Sequence, residues 1–168
     1  MSMSAWIVVG DQREVGNLVT VARSLGGPVG AVVAGPRSVA DTVAGAGLDK
    51  VVWCSAPDDV PAEASAPAVA DAVAADPPRV VLAGRNPGER VLLGAVAARL
   101  KTAVLTGARS VAFDGDDVVV VNAVFGDIAE ETVEQDPLVR KQVCAGLQLH
   151  QAPVRAAKPS PLGDLLDA

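Results

Sequence analysis

A short apolar run, a glycine and a well-capped helical segment follow one another at 80–100, and this stretch limits the folds open to the chain. The run is typical of a parallel strand covered on both faces, and Gly84 ends it. Asn86 can accept from the free N–H groups at the start of a helix, Pro87 suits the first helical position, and Glu89 stands where a capping box places its carboxylate. The stretch therefore predicts a strand, a tight turn and a helix.

The same alternation of buried runs and helical segments extends back to the N terminus. Helical spacing of apolar residues, with glycine and proline at the segment ends, separates helices from strands. The predicted strands lie at 5–10, 29–34, 50–54 and 80–83, and the predicted helices at 15–25, 36–46, 68–75 and 86–100, with a loop at 55–67. This order predicts a parallel sheet with helices on both faces, joined by right-handed crossovers.

Residues beyond 100 follow a different pattern. The sequence Asp-Gly-Asp at 114–116 stands between two apolar segments, at 107–113 and 117–124, which is a strong hairpin signal. We expect two further strands at 128–135 and 137–144, so that the second half of the chain is antiparallel. The predicted fold class is α/β, a three-layer parallel sheet that carries an antiparallel hairpin extension.

The length of 168 residues suits one domain with a substantial core. We expect that domain to occupy residues 1–150 and a proline-rich tail to occupy 151–168. Three prolines in nine residues oppose regular structure in the tail. Its leucines leave two alternatives open, a disordered tail or a segment that packs into a surface groove. They are Leu162, Leu165 and Leu166.

Composition and charge exclude several kinds of site. The formal net charge is −6 and aromatic residues make up 2% of the chain, which disfavours a nucleic-acid partner and a site that binds rings by stacking. Two cysteines and one histidine, without a C-x-x-C pair, predict neither a disulfide framework nor a metal site. No secretory signal or transmembrane run is evident, so we expect a cytoplasmic protein with no membrane partner.

The turns after the strands carry no familiar nucleotide or catalytic motif. The first turn, at 10–16, lacks G-x-G-x-x-G, and no acidic residue ends the second strand. The sequence also lacks G-x-x-x-x-G-K-[ST] and G-x-S-x-G, and His150 lies near the tail. We therefore expect a binding or interaction domain rather than an enzyme, with no catalytic residues.

The helix predicted at 86–100 favours an interaction role, because apolar residues surround nearly its whole circumference. A surface helix normally keeps one polar face. This helix is therefore either covered on both sides or part of an interface with a partner. Its free N–H groups and positive dipole end could hold a phosphate, and the alternative is a well-capped helix with no ligand.

In its order of segments, the chain resembles the N-terminal domain of the electron-transfer flavoprotein alpha subunit. The stretches that carry the resemblance are 5–9 (AWIVV), 20–35, 44–52 and 80–100, then 118–121 in the hairpin, 125–126 and Ala129. The likeness covers roughly residues 5–144 and rests on many small matches in the right order. It implies a Rossmann-like, adenine-nucleotide-binding-like α/β fold.

The resemblance also implies a cofactor and a partner. A typical alpha subunit continues into a second domain that carries FAD, and we expect no counterpart of that domain after Cys144. The chain is therefore expected to be a truncated alpha-type subunit that binds no cofactor alone and needs a partner to supply FAD. The family implies a beta-type subunit, which holds AMP or a second FAD, and a homodimer is the other possibility. The alternative function is a free-standing module that binds AMP or ATP and has a regulatory role.

A nucleotide, if one binds, is expected at the carboxyl ends of the strands, with its phosphate at the helix start at 86–90. The candidate contacts are Gly10, Asp11, Gly35, Gly84, Asn86 and Gly88. The alternative for these residues is a purely structural role in turns and caps.

Overall fold

The computed structural model describes residues 4–57, 59–124, 129–135 and 142–147. The tail predicted at 151–168, the resemblance at 125–126 and the first part of the strand predicted at 137–144 lie outside the described residues. The helices are α1 (Val15–Ser24), α2 (Arg37–Ala44), α3 (Ala66–Ala75) and α4 (Pro87–Leu100). The strands are β1 (Ala5–Val9), β2 (Val29–Gly35), β3 (Lys50–Ser55), β4 (Val80–Ala83), β5 (Val104–Asp114), β6 (Asp117–Val124), β7 (Ala129–Gln135) and β8 (Val143–Leu147). Short 3-10 turns, Gln12–Glu14 and Ala62–Ser65, precede α1 and α3.

The strands form one eight-stranded sheet in the order β3-β2-β1-β4-β8-β5-β6-β7. Along the sheet from β3 through β2, β1, β4 and β8 to β5, each strand is parallel to the next. Strand β6 is antiparallel to both of its neighbours, β5 and β7. The predicted α/β class, with its parallel core and hairpin extension, is confirmed. Strands β1, β2 and β4 are buried at every position, as expected for parallel strands covered on both faces.

The last strand differs from its prediction in both position and direction. We expected it at 137–144 in an antiparallel half, but β8 begins at Val143 and lies parallel between β4 and β5. All five of its residues are buried. A short run with no polar alternation is typical of a strand covered on both faces, and the chain must return to the middle of the sheet to place it there.

The loop predicted at 55–67 is also partly wrong. A 3-10 turn occupies Ala62–Ser65, and α3 begins at Ala66 rather than at residue 68. Pro67 lies in the first turn of α3, where a backbone N–H needs no partner within the helix. The same proline that suggested a loop is therefore compatible with a helix start.

Two hydrophobic clusters lie on opposite faces of the sheet. One face is covered by α1 and α2, together with residues of the β5–β6 hairpin. The other is covered by α3 and α4, which pack on Trp6, Val8 and Cys144 among others. Side chains therefore alternate between the two layers along each central strand, as the pleat requires.

The β5–β6 hairpin covers part of the sheet face that α1 and α2 also cover. At Gly107, with φ +74°, the β5–β8 register shifts, and Ala108 and Val111 beyond it join the core on the α1 side. Arg79, which directly precedes β4, donates to the carbonyl of Gly115 at the hairpin tip. The hairpin therefore folds back across the sheet, and its tip lies at the amino end of β4.

Within the described residues, no helix combines the length and the apolar character needed to cross a bilayer. The longest of these helices, α4, has 14 residues, whereas a crossing takes about 20.

Candidate functional site

Most of the predicted site residues meet at the carboxyl edge of the sheet. Strands β1 and β4 are parallel neighbours, so Gly10 and Asp11 after β1 lie beside Gly84 and Asn86 after β4. A cleft of about 350 Å³ opens at this edge. Its lining residues are Asp11, Arg13, Glu14, Arg85, Asn86, Pro87 and Glu89.

Of the six predicted residues, Asp11 and Asn86 line this cleft, Gly10 and Gly84 adjoin them in the chain, and the other two lie elsewhere. Gly35 ends β2, one strand further from β4, and its carbonyl accepts from the indole N–H of Trp53 at 2.9 Å. Gly88 lies in the first turn of α4, where a Cβ would come within 3.1 Å of the carboxylate of Glu63. The structure therefore groups Gly10, Asp11, Gly84 and Asn86 most closely.

Asn86 caps α4 as the sequence predicts. Its backbone is extended, with φ −66° and ψ 150°, and its Oδ1 accepts from the backbone N–H of Glu89 at 2.9 Å. This bond satisfies one of the N–H groups that a helix start leaves free. The predicted N-cap is confirmed, and Pro87 occupies the first turn, where a backbone donor is not needed.

The predicted capping box is wrong, because the Glu89 carboxylate is directed to another part of the chain. Its Oε1 accepts from the backbone N–H groups of Gly10 at 3.0 Å and of Asp11 at 3.2 Å. The side chain is 1% exposed. The loop after β1 lies against the first turn of α4, so its two amides reach this buried oxygen.

Burial raises the pKa of the Glu89 carboxyl above its usual value. The two amide hydrogen bonds oppose that rise in pKa, whereas the nearby charges of Glu14 and Asp11 add to it. Oε2 of Glu89 has no hydrogen-bond partner within the described part of the chain. The cleft therefore contains a desolvated carboxyl group with one satisfied and one unsatisfied oxygen.

The two amides that would contact a phosphate after β1 are engaged by this carboxyl group. A phosphate therefore does not fit against Gly10 and Asp11 while Glu89 remains in place. Arg13 does not provide a free positive charge for a phosphate either. Its guanidinium is bound to the carboxylate of Asp11, whose pKa it lowers. Besides Arg13, the described cations at this edge with exposed side chains are Arg85 and Arg90.

No cluster of three or more potential metal ligands occurs among residues 4–57, 59–124, 129–135 and 142–147. The sequence predicts the right edge of the sheet but not the roles of Glu14 and Glu89 there. An acidic residue before a helix, such as Glu14, is ordinary, and the spacing of Glu89 predicts only a local cap. Only the adjacency of β1 and β4 could have revealed that the two belong together.

An apolar recess lies on the other side of the α4 start. It has a volume of about 380 Å³ and is lined by Pro87, Arg90, Val91, Leu93, Val104, Thr106 and Gly146. Val91 is 52% exposed and Val104 is 38% exposed. We call these two residues and the recess between them the α4–β5 patch.

The exposure of the patch bears on one of the two alternatives for α4. Leu92, Val96 and Ala97 face the core, whereas Val91 and Gly94 are exposed. The expectation that α4 is covered on both sides is wrong for the described residues, because its outer face lacks a covering element there. A role of α4 in an interface stays a prediction.

A comparison with known families gives one clear result. The family model described as the electron transfer flavoprotein domain matches residues 13–144, which is most of the chain. A search of the curated proteins finds no match. The match includes every helix and every strand except β1 and the end of β8. The chain belongs to the electron transfer flavoprotein domain family.

Proposed function

We propose that this chain is an alpha-type interaction subunit of an electron-transfer system that pairs with a beta-type subunit or with a second copy of itself. The observation that carries the proposal is the α4–β5 patch, where Val91 and Val104 expose apolar surface. Exposed apolar surface around a recess is typical of interaction sites. The family match supplies the electron-transfer context.

In this proposal the chain binds no flavin alone, acts as an electron-transfer component rather than an enzyme, and works in the cytoplasm. The internal use of the Gly10 and Asp11 amides by Glu89 supports the absence of a phosphate-binding turn after β1. FAD then resides on the partner. A visible spectrum of the purified full chain tests this point, because a yellow preparation with flavin absorption would contradict it.

The pairing is tested by co-expression with a beta-type subunit and by light scattering of the purified chain. We expect a heterodimer or a homodimer, and a charge placed on the patch should weaken it. Val91→Asp and Val104→Asp are the test variants, because each places a carboxylate on exposed apolar surface. Asn17→Asp is the matched control, since it adds the same charge on the exposed face of α1, in the opposite layer.

Loss of the complex in both patch variants, with the control unchanged, is the expected result. Equal loss in Asn17→Asp would point to net charge rather than to the patch. A strict monomer that does not bind the beta-type subunit would overturn the proposal.

The second candidate is a free-standing module that binds AMP or ATP and has a regulatory role. It is favoured by a recess of about 270 Å³ beside Gly84, where Arg85 and Arg90 flank the start of α4. Their positive charges and the helix start would attract a phosphate. The contacts would include Gly84, Asn86 and Gly88, while Gly10, Asp11 and Gly35 would follow only if Glu89 moved away.

Calorimetric titration with AMP, ATP and FAD distinguishes the two candidates. Binding that is lost in Arg90→Ala and kept in Arg99→Ala, an arginine paired with Asp71 on the outer helix layer, would favour the module. No heat at millimolar nucleotide would remove it.

A further inference from the structure

The carboxyl groups of Glu89 and Glu14 both reach the space beside the Cα of Gly84. A Cβ added at Gly84 would lie 2.3 Å from Oε2 of Glu89 and 2.5 Å from Oε2 of Glu14. Both oxygens therefore occupy the space that any larger residue at this position would fill. The two side chains come from separate elements, Glu89 from the first turn of α4 and Glu14 from the 3-10 turn before α1.

Neither of these two oxygens has a strong donor among the described residues. Oε2 of Glu89 has no hydrogen-bond partner in the described ranges, although the other oxygen of the same carboxyl accepts from two amides. Oε2 of Glu14 accepts from the backbone N–H of Arg85 at 3.4 Å, near the limit of a hydrogen bond. If both groups were ionised, two negative oxygens would share the space beside Gly84, one of them away from water.

We propose that Glu89 and Glu14 share one proton, with Oε2 of Glu89 as donor and Oε2 of Glu14 as acceptor, and that this hydrogen bond holds the loop after β1 against the start of α4. One proton satisfies both oxygens and removes the repulsion, as in other carboxyl pairs that occupy one site. Gly84 is required because only glycine leaves room for the pair. This inference is independent of the proposed partner and of any nucleotide.

The charged groups around the pair favour retention of the proton. Besides Glu14, the acidic groups that face Glu89 are Asp11 from the same loop and Glu63, whose carboxylate lies beside Gly88. The described basic groups at this edge are Arg13, which is bound to Asp11, and Arg85 and Arg90, whose side chains are exposed to solvent. Burial of Glu89 raises its pKa in the same direction.

The pair makes the stability of this edge depend on pH. Because the pKa of Glu89 is raised in the folded protein, the folded state holds the proton more tightly than the unfolded state does. The stabilisation is present at low pH and is lost as pH rises from the ordinary value of 4.5 through the raised pKa of the folded protein. Above that pH, the two carboxylates repel and the loop after β1 loses one of its attachments to α4.

Carbon-13 NMR of the side-chain carboxyls measures this proton directly. In full-length protein labelled at glutamate, we expect one carboxyl to titrate well above 4.5, and its signal to disappear in Glu89→Gln. Glu14→Gln should shift the Glu89 titration to lower pH, because it removes the adjacent negative charge. Glu63→Gln, which removes a carboxylate at the same edge without touching Gly84, should shift that titration much less than Glu14→Gln does.

Denaturant unfolding of the same variants gives an independent readout. The glutamine in Glu89→Gln keeps an oxygen for the Gly10 and Asp11 amides and offers an N–H to Glu14, so it imitates the protonated form. We expect its unfolding midpoint to be independent of pH above 4.5 and higher than the wild-type midpoint once wild-type Glu89 has ionised. A Glu89 that titrates at or below 4.5, or a Glu89→Gln midpoint that falls below wild type at all pH values, would overturn the proposal.

Discussion

The guanidinium of Arg79 lies 3.8 Å from the ring centroid of Phe113, and one of its nitrogens donates to the carbonyl of Gly115 at 2.9 Å. Arg79 directly precedes β4, whereas Phe113 and Gly115 belong to the tip of the β5–β6 hairpin. The pair thus attaches the hairpin to the amino end of the parallel sheet. This contact holds the hairpin over the sheet face that Val111 and Val118 of the hairpin cover.

Replacement of Arg79 by methionine should destabilise the protein by about 1–2 kcal/mol, the sum of a cation–π contact and a hydrogen bond. Methionine keeps an apolar stem of similar length, so the loss reports the guanidinium. Urea unfolding of Arg79→Met, Phe113→Leu and the double variant gives the coupling energy. We expect about 0.5–1 kcal/mol of coupling, and strictly additive losses would show that the two side chains do not interact.

The parallel half of this fold could be predicted because its signals are local. The apolar runs of β1, β2 and β4 and the capped start of α4 lie within short segments, where period and end residues identify the element. The location of β8 could not be predicted from such signals. Its position between β4 and β5 depends on pairing with strands that are distant in sequence. The apolar pattern of Val143–Leu147 alone does not indicate with which strands it pairs.

The candidate site shows the same division. Asn86 bonds to a residue three positions away, so its role follows from spacing. Glu89 satisfies the same spacing rule, yet it bonds to Gly10 and Asp11 nearly eighty positions away. The Glu89 carboxylate could accept either from the N-cap amide of Asn86 or from the loop amides of Gly10 and Asp11. Only the three-dimensional arrangement determines which donors it meets.

Gly30 and Gly94 should respond in opposite ways to alanine. A Cβ at Gly30 would lie 2.7 Å from the buried ring of Trp6, whereas a Cβ at Gly94 meets nothing within 4 Å. We expect Gly30→Ala to cost about 1–3 kcal/mol through overpacking. Gly94→Ala should add about 0.5–1 kcal/mol, since alanine is the better helix former. Thermal and urea unfolding measure both, and equal effects at the two positions would contradict the packing of Trp6 against β2.

Asn86→Ala should lower the free energy of unfolding by about 1 kcal/mol, because the backbone N–H of Glu89 loses its acceptor. Asn86→Ser is the matched control, since serine also caps helices well and should cost much less. Urea unfolding at one pH compares the two variants. An equal loss in both would mean that the asparagine acts through something other than the cap, and a loss of nucleotide affinity far larger than the loss of stability would favour a binding role.

Cys144 should react with thiol reagents only when the protein unfolds. The residue is fully buried in β8, and burial raises the pKa of its thiol to about 12, from an ordinary value of 9.0. At pH 8 about one thiol in ten thousand is then ionised, and the thiolate is the reactive form. In a Cys54→Ser variant, which leaves a single thiol, we expect labelling by a disulfide reagent to follow the rate of global unfolding measured by circular dichroism.

A Cys144→Ser variant reports Cys54, which is half-buried on β3 and should react faster without denaturant. Rapid labelling of Cys144 in the native protein would show that the centre of the sheet opens locally and would contradict its placement between β4 and β5.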